Sequence, residues 1–254
     1  MEINKLEDLL YEDWTWRKTE ISELILLAEI EEKNVLLKSI ILLLYAHWEG
    51  YIKKSSRVYL KFICENKIKI SDLTENFKAV ALKGLSKEVF KSTDTLSLSN
   101  EIKLIQKYSL INGLTIDKLI KIDLELEKDK SIIDTQDNLN PSVFKNILEI
   151  IGLNYNNQYE VRKTHLDNEL LAYRNSIGHG NKKLSKDSDF DLQINSIKKL
   201  RDILFSIIEN FRDEIIYYSQ KEYYLKENQH KIIDYTLIKE SQLESIFNQI
   251  DSRY

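Results

Sequence analysis

The densest run of side chains able to do chemistry is Tyr173-Arg174-Asn175-Ser176-Ile177-Gly178-His179-Gly180-Asn181. Arg174 carries a rigid fork of N–H donors that matches phosphate oxygens and can stabilise negative charge building in a transition state. His179 has an ordinary pKa near about 6.5, so it can move a proton to or from a ribose hydroxyl or a leaving oxygen at neutral pH. Asn175 can hold either group in place, and Tyr173 flanks them as a supporting residue. Together they suit phosphodiester chemistry, a scheme that calls for no metal and no cofactor. On an unbroken helix, side chains five residues apart point about 140° apart. The glycine at 178 lets the chain leave the helix and turn His179 back toward Arg174, which sits in a last turn where the helix dipole favours a cation. A capping arginine followed by an exposed loop histidine accounts for the same letters without catalysis, and short spacings of this kind recur by chance.

Other chemistries lack their residues. There is no glycine-rich phosphate loop, no GxGxxG, no HExxH and no GxSxG in the chain. The histidines stand at 47, 165, 179 and 230, with no spacing that suggests a metal site, and Cys64 has no second cysteine to pair with. A lone cysteine fits a reducing cytoplasm. With 37 basic and 41 acidic side chains, net charge -4, bulk charge does not announce RNA as a partner. Local positive charge is available at Lys182 and Lys183 beside the motif, with Arg162 and Lys163 before it, and at Lys53, Lys54, Arg57 and Lys61 along one helix surface. Lys53 and Arg57 are candidate contacts to an RNA backbone, although a charge run on a long helix is more simply a solvated face.

Six glycines and one proline in 254 residues leave too little punctuation for a fold of many tight turns, so the elements that carry these residues are helices. Apolar residues recur at helical spacing from Leu6 to Ile30. A second stripe, Leu37, Ile41, Leu44, Trp48, Ile52, Tyr59 and Phe62, begins after a potential cap at Asn34 and runs for about seven turns. Residues 66–135 read as a helical insertion of short amphipathic pieces. Asn140-Pro141 is a helix start and Gly152 a helix stop. Tyr159 to Ser176, with Val161, His165, Leu166, Leu170 and Tyr173 on one stripe, ends at the motif; the stripe from Ile197 to Tyr218 predicts a helix of about ten turns. Residues 1–226 thus form one helical domain and 227–254 a C-terminal helical tail with a short amphipathic segment at Ser241 to Ile250. The most apolar run, Ile40 to Ala46, is too short to span a bilayer, which takes about 20 residues. His47, His165, Cys64 and Trp14 read as packing residues; Trp16 is a candidate for stacking on bases.

The Arg174-Asn175-x3-His179 cluster resembles the Arg-x4-6-His signature of the HEPN superfamily. Leu43 to Lys53, with His47-Trp48-Glu49-Gly50 at its centre, resembles the second-helix signature of a bacterial stand-alone branch, and Asp13 to Lys18 its first helix; Asn138-Leu139-Asn140-Pro141 also fits. The resemblance implies an all-α HEPN-type bundle of long antiparallel helices with a helical insertion. It further implies a metal-independent endoribonuclease in which the 2′-hydroxyl attacks the adjacent phosphorus, leaving a 2′,3′-cyclic phosphate. In such proteins two chains pair as a homodimer so that both Arg-His sets line one cleft, and Glu49 matches a position that orients the arginine, while a solvated helix residue accounts for it equally. The expected setting is a toxin or effector of bacterial defence, with an antitoxin or regulatory protein as a further partner and no membrane. A helical module that binds a nucleotide, RNA or a protein without cleaving it is the alternative.

Overall fold

The computed structural model describes residues 1–89, 99–126, 132–136, 138–178 and 193–254. Among these there is no strand, only two isolated bridges, Lys69 with Thr115 and Leu73 with Leu225. The chain folds as an all-α bundle.

Two long antiparallel helices frame it: α1 (Ile3–Glu31) and α2 (Asn34–Glu65). Lys33, not Asn34, is the residue before α2, and Glu32 at φ 49° makes the reversal. The insertion contributes α3 (Glu75–Val89) and α4 (Ser99–Ile111). Next comes α5 (Pro141–Ile151), started as its sequence dictates: Asn140 Oδ1 accepts the Val143 amide at 2.9 Å and Pro141 takes the first-turn slot. Gly152 ends α5 at φ 74°, where a Cβ would fall 2.7 Å from Asn76 Nδ2, so both backbone and space select glycine.

One helical stretch then runs through α6 (Asn157–His165), a π-turn (Leu166–Leu171) and α7 (Ala172–Gly178). It is followed by α8 (Ile194–Gln220) and α9 (Ile232–Arg253). At 27 residues α8 is seven and a half turns; it contains the whole Ile197–Tyr218 stripe but is shorter than the ten turns expected, because the chain reverses at Lys221 to Tyr224 with Glu222 at φ 52°. The tail is longer than expected: all of α9 is helical, and Leu243, Phe247 and Ile250 bury it against the bundle. Val161, placed on the buried stripe by its spacing, is 67% exposed. The stripe is anchored on buried Tyr159, and a residue two positions on points about 200° away.

The core joins all these helices. Phe144 of α5 meets Trp48 of α2 (4.8 Å between rings), Tyr159 of α6 (5.5 Å) and Phe211 of α8 (5.9 Å). Each such ring contributes about 1.5–3 kcal/mol by leaving water. By length and composition α2 is apolar enough to cross a membrane. Its apolar residues are instead applied to α1, α5 and α8, with Ile40, Ile41, Leu44, Tyr51 and Ile52 all in the core.

Glu214 lies in this core, among Tyr159, Tyr218 and Tyr235 and bonded to Asn210. Burial pushes its carboxyl up to about 8, against the opposing pull of the Asn210 bond and the Lys239 charge. The folded state therefore holds the proton well above the ordinary glutamate range. This favours folding at low pH and is progressively lost as pH rises from the unfolded value toward about 8. Glu214→Gln should remove that slope. In thermal melts from pH 5 to 8 the wild type is expected to lose stability relative to the variant by on the order of 3 kcal/mol; parallel profiles would show that Glu214 carries no shifted proton.

Candidate functional site

Helix α2 carries two different polar arrangements, one on each side. Tyr45 and His47 are two residues apart and so point about 200° apart around the axis. The Tyr45 side faces α7. Here the Arg174 guanidinium lies over the Tyr45 ring, 4.2 Å from Cζ to the ring centre, and Arg174 Nη1 donates to Asn175 Oδ1 at 2.8 Å. The Tyr45 hydroxyl accepts the Leu139 amide at 2.8 Å, and one turn along, Trp48 Nε1 donates to the Leu139 carbonyl at 3.1 Å. Glu49 Oε1 accepts from the Thr135 hydroxyl at 2.5 Å. Burial pushes the Tyr45 hydroxyl up to about 12, helped by the Glu49 charge, while the Leu139 amide and the Arg174 charge pull the other way. The tyrosine stays neutral, so the pair is a cation on an aromatic face.

The His47 side faces α1. Asp13 is buried and collects Arg17 Nε (3.0 Å), Lys54 Nζ (2.8 Å) and Trp16 Nε1 (3.3 Å). Burial pushes its carboxyl up, but the bonds from Arg17 and Lys54 outweigh that and hold it below its usual range. Arg17 has no acceptor, so its 3.2 Å contact makes His47 Nδ1 an acceptor; the ring proton sits on Nε2 and is donated to Glu20 at 2.8 Å. Burial and the Arg17 charge lower the His47 pKa, against Glu20, and keep the ring neutral. Gly50 is what lets Arg17 in: a Cβ there would fall 2.8 Å from Nη1.

The expected site residues therefore separate. Arg174, Asn175 and Tyr173 share α7, all half-buried, with Tyr173 packed on the core. Glu49 reaches the same region through Thr135 and lies close to the Tyr45 hydroxyl. His179, Lys182 and Lys183 lie outside the described residues. Lys53 is half-buried on α2. Arg57 is corrected: at 6% exposure its guanidinium is buried and donates to the Asp123 carbonyl, which removes it from any RNA-facing surface. Its neighbours Lys54 and Lys61 are engaged by Asp13 and Glu65, so the basic run is not one continuous face. Trp14 is core as expected, with Nε1 donating to Glu209 at 3.1 Å, and Trp16 is half-exposed under the Arg17 guanidinium. His47 packs as expected, but in an ionic cluster. Sequence reasoning passed over Tyr45; the signal was its place one turn before Glu49 and three residues before Trp48.

A groove of about 850 Å³ lies elsewhere, lined by Met1, Phe62, Lys69, Gln220, Tyr224 and Lys226 among others, and Arg174 is not part of it. Among the described residues no group of three or more His, Cys, Asp or Glu side chains is placed to hold a metal ion.

The family model described as HEPN_MAE_28990-like HEPN matches residues 6–224. No curated protein and no solved structure matches the chain. The chain belongs to the HEPN superfamily, in its MAE_28990-like branch, and the matched range takes in most of α1 and all of α2 to α8.

The Arg17–Gly50 contact gives a direct test of the α1 side. Gly50→Ala should lower stability by about 1–3 kcal/mol, because Arg17 is held by Asp13 and His47 and cannot simply swing away. In an Arg17→Ala background the same substitution should cost less. Equal costs in both backgrounds, measured by denaturant unfolding, would mean that the two residues do not press on one another.

Proposed function

We propose that the chain is a metal-independent endoribonuclease that cuts RNA at the phosphate held by Arg174. Membership of the HEPN superfamily supports ribonuclease or nucleotide-binding chemistry in general. The observation that carries the finer reading is Arg174 itself. It is a half-buried guanidinium laid on an aromatic face, steadied by Asn175 and placed four residues before the end of its helix at Gly178.

In this reading Arg174 donates to the non-bridging oxygens of the scissile phosphate and Asn175 keeps the guanidinium turned toward them. His179 takes the proton of the ribose 2′-hydroxyl, whose oxygen attacks phosphorus. The bond to the 5′-oxygen breaks, and that oxygen receives a proton from His179 of the partner subunit. The products are a 2′,3′-cyclic phosphate and a 5′-hydroxyl. A twofold dimer supplies one base and one acid from a single histidine per chain. Lys182 and Lys183 would contribute charge for the RNA backbone. The setting that fits is a cytoplasmic toxin or effector of bacterial defence, held in check by an antitoxin or regulatory protein.

Purified protein incubated with total RNA in EDTA should leave cyclic-phosphate ends. Arg174→Ala and His179→Ala should each reduce cleavage by about 10²–10³-fold, in keeping with the loss of a charge-stabilising or proton-moving group. RNA that is retained but intact would replace this reading with a non-cleaving RNA-binding module.

A further inference from the structure

We propose that Tyr45 is the positioning residue that fixes Arg174: its ring face holds the guanidinium, and its hydroxyl anchors that ring to the backbone of Leu139. One side chain makes two separate contacts, Arg174 on its ring face and Leu139 at its hydroxyl. Tyr45 is 4% exposed, so the face under Arg174 is largely desolvated, and a cation on a desolvated ring is held more strongly than at an open surface. The ring is fixed at its root by α2 and at its tip by the Leu139 amide at 2.8 Å.

That anchor is itself anchored. Trp48 holds the carbonyl of the same Leu139, at 3.1 Å, and Glu49 holds Thr135 four residues earlier. Positions 45, 48 and 49 fall on one side of α2, so a single helix face grips both Thr135 and Leu139 and presents the tyrosine at a set angle. With its root and tip both held, the ring gives the guanidinium a fixed plane to stack on. Stacking engages the flat face of an arginine, whereas its phosphate-matching donors lie around the edge. A ring therefore fixes the plane of Arg174 without using its N–H groups, as a carboxylate would.

The cutting-rate readout rests on the nuclease reading above, but the position of Arg174 can be read without it. The ring's electron density can be varied at nearly constant volume by placing phenylalanine and then progressively fluorinated phenylalanines at position 45. Fluorination withdraws the negative charge from the ring face. Two quantities are followed: RNA cleavage, as kcat and KM separately, and the rate at which phenylglyoxal modifies Arg174, read by mass spectrometry of its peptide.

Tyr45→Phe keeps the face but gives up the Leu139 bond, so against wild type it should itself raise the Arg174 modification rate; an unchanged rate there would overturn the anchoring role of the hydroxyl. The same variant serves as the reference for the face. From it, full fluorination should lower kcat about tenfold with little change in KM and raise the modification rate severalfold, graded with fluorine number. Melting temperatures are followed in parallel, and lightly fluorinated members carry the comparison if the most fluorinated one unfolds. A modification rate indifferent to fluorination across the folded members would overturn the proposal. Should the wild-type chain cut no RNA at all, the nuclease reading falls, and the modification rates alone decide the role of Tyr45.

Discussion

The buried carboxylate of Asp13 is the constraint on which the arrangement of this bundle turns. A carboxylate at 4% exposure in a helix interface is tolerable only with donors around it, and removing one partner of such a cluster costs about 3–5 kcal/mol. Asp13 meets Arg17 and Trp16 on its own helix and Lys54 from α2. Arg17 extends the cluster to His47 across the space left by Gly50. Apolar contacts between two long helices tolerate small rotations, whereas these bonds do not. They fix how α2 is turned about its axis relative to α1, and so they decide that Tyr45, Trp48 and Glu49 face the other way, toward α5 and α7. Two of the sequence stretches that resemble the family, Asp13 to Lys18 and Leu43 to Lys53, meet at this contact, through Asp13 and Arg17 on one side and His47 and Gly50 on the other.

Much of the fold was legible because it depends on local rules. Helix periodicity located α1, α2 and α8, and the cap at Asn140-Pro141 and the stop at Gly152 appear where short-range stereochemistry requires them. What periodicity could not give was phase and extent when several apolar residues compete. Val161 was assigned inward because it is apolar, yet Tyr159 two residues earlier defines the buried side. The extent of α8 was overdrawn because a stripe from Ile197 to Tyr218 covers only about six turns, and nothing beyond it extends the helix past Gln220; Tyr223 and Tyr224 are buried from a turn.

The polar residues were less legible than the apolar ones, for a physical reason. A charged side chain can be solvated, paired or buried with a partner, and its own letter does not distinguish these. Arg57 and Lys53 look alike in a basic run, but Arg57 has its guanidinium on the Asp123 carbonyl, a partner 66 residues away. Asp13 gives no local hint of burial, since two of its donors lie within four residues and look like ordinary helix-surface neighbours. Tyr45 escaped notice because tyrosine on an apolar stripe reads as core, which it also is. Its second role depends on Leu139 and Arg174, from two distant segments meeting it at opposite ends.

How Arg174 comes to face α2 at all depends on the π-turn at Leu166–Leu171. Leu166 and Leu170 are buried, so they mark the core-facing line of this helical stretch. Arg174 is eight residues beyond Leu166, and on an uninterrupted α-helix it would be rotated about 80° away from that line. A π-turn admits one extra residue and retards everything after it by about 100°, which returns residue 174 to within about 20° of Leu166. The arginine thus continues a line of leucines toward the core, a direction that asks of its neighbour both apolar character and attraction for a cation. An aromatic ring meets both demands of that position, being apolar enough to belong to the core and electron-rich enough on its face to receive a cation. Arg174 and Tyr45 are in this sense one feature, and the π-turn is what brings its two halves together.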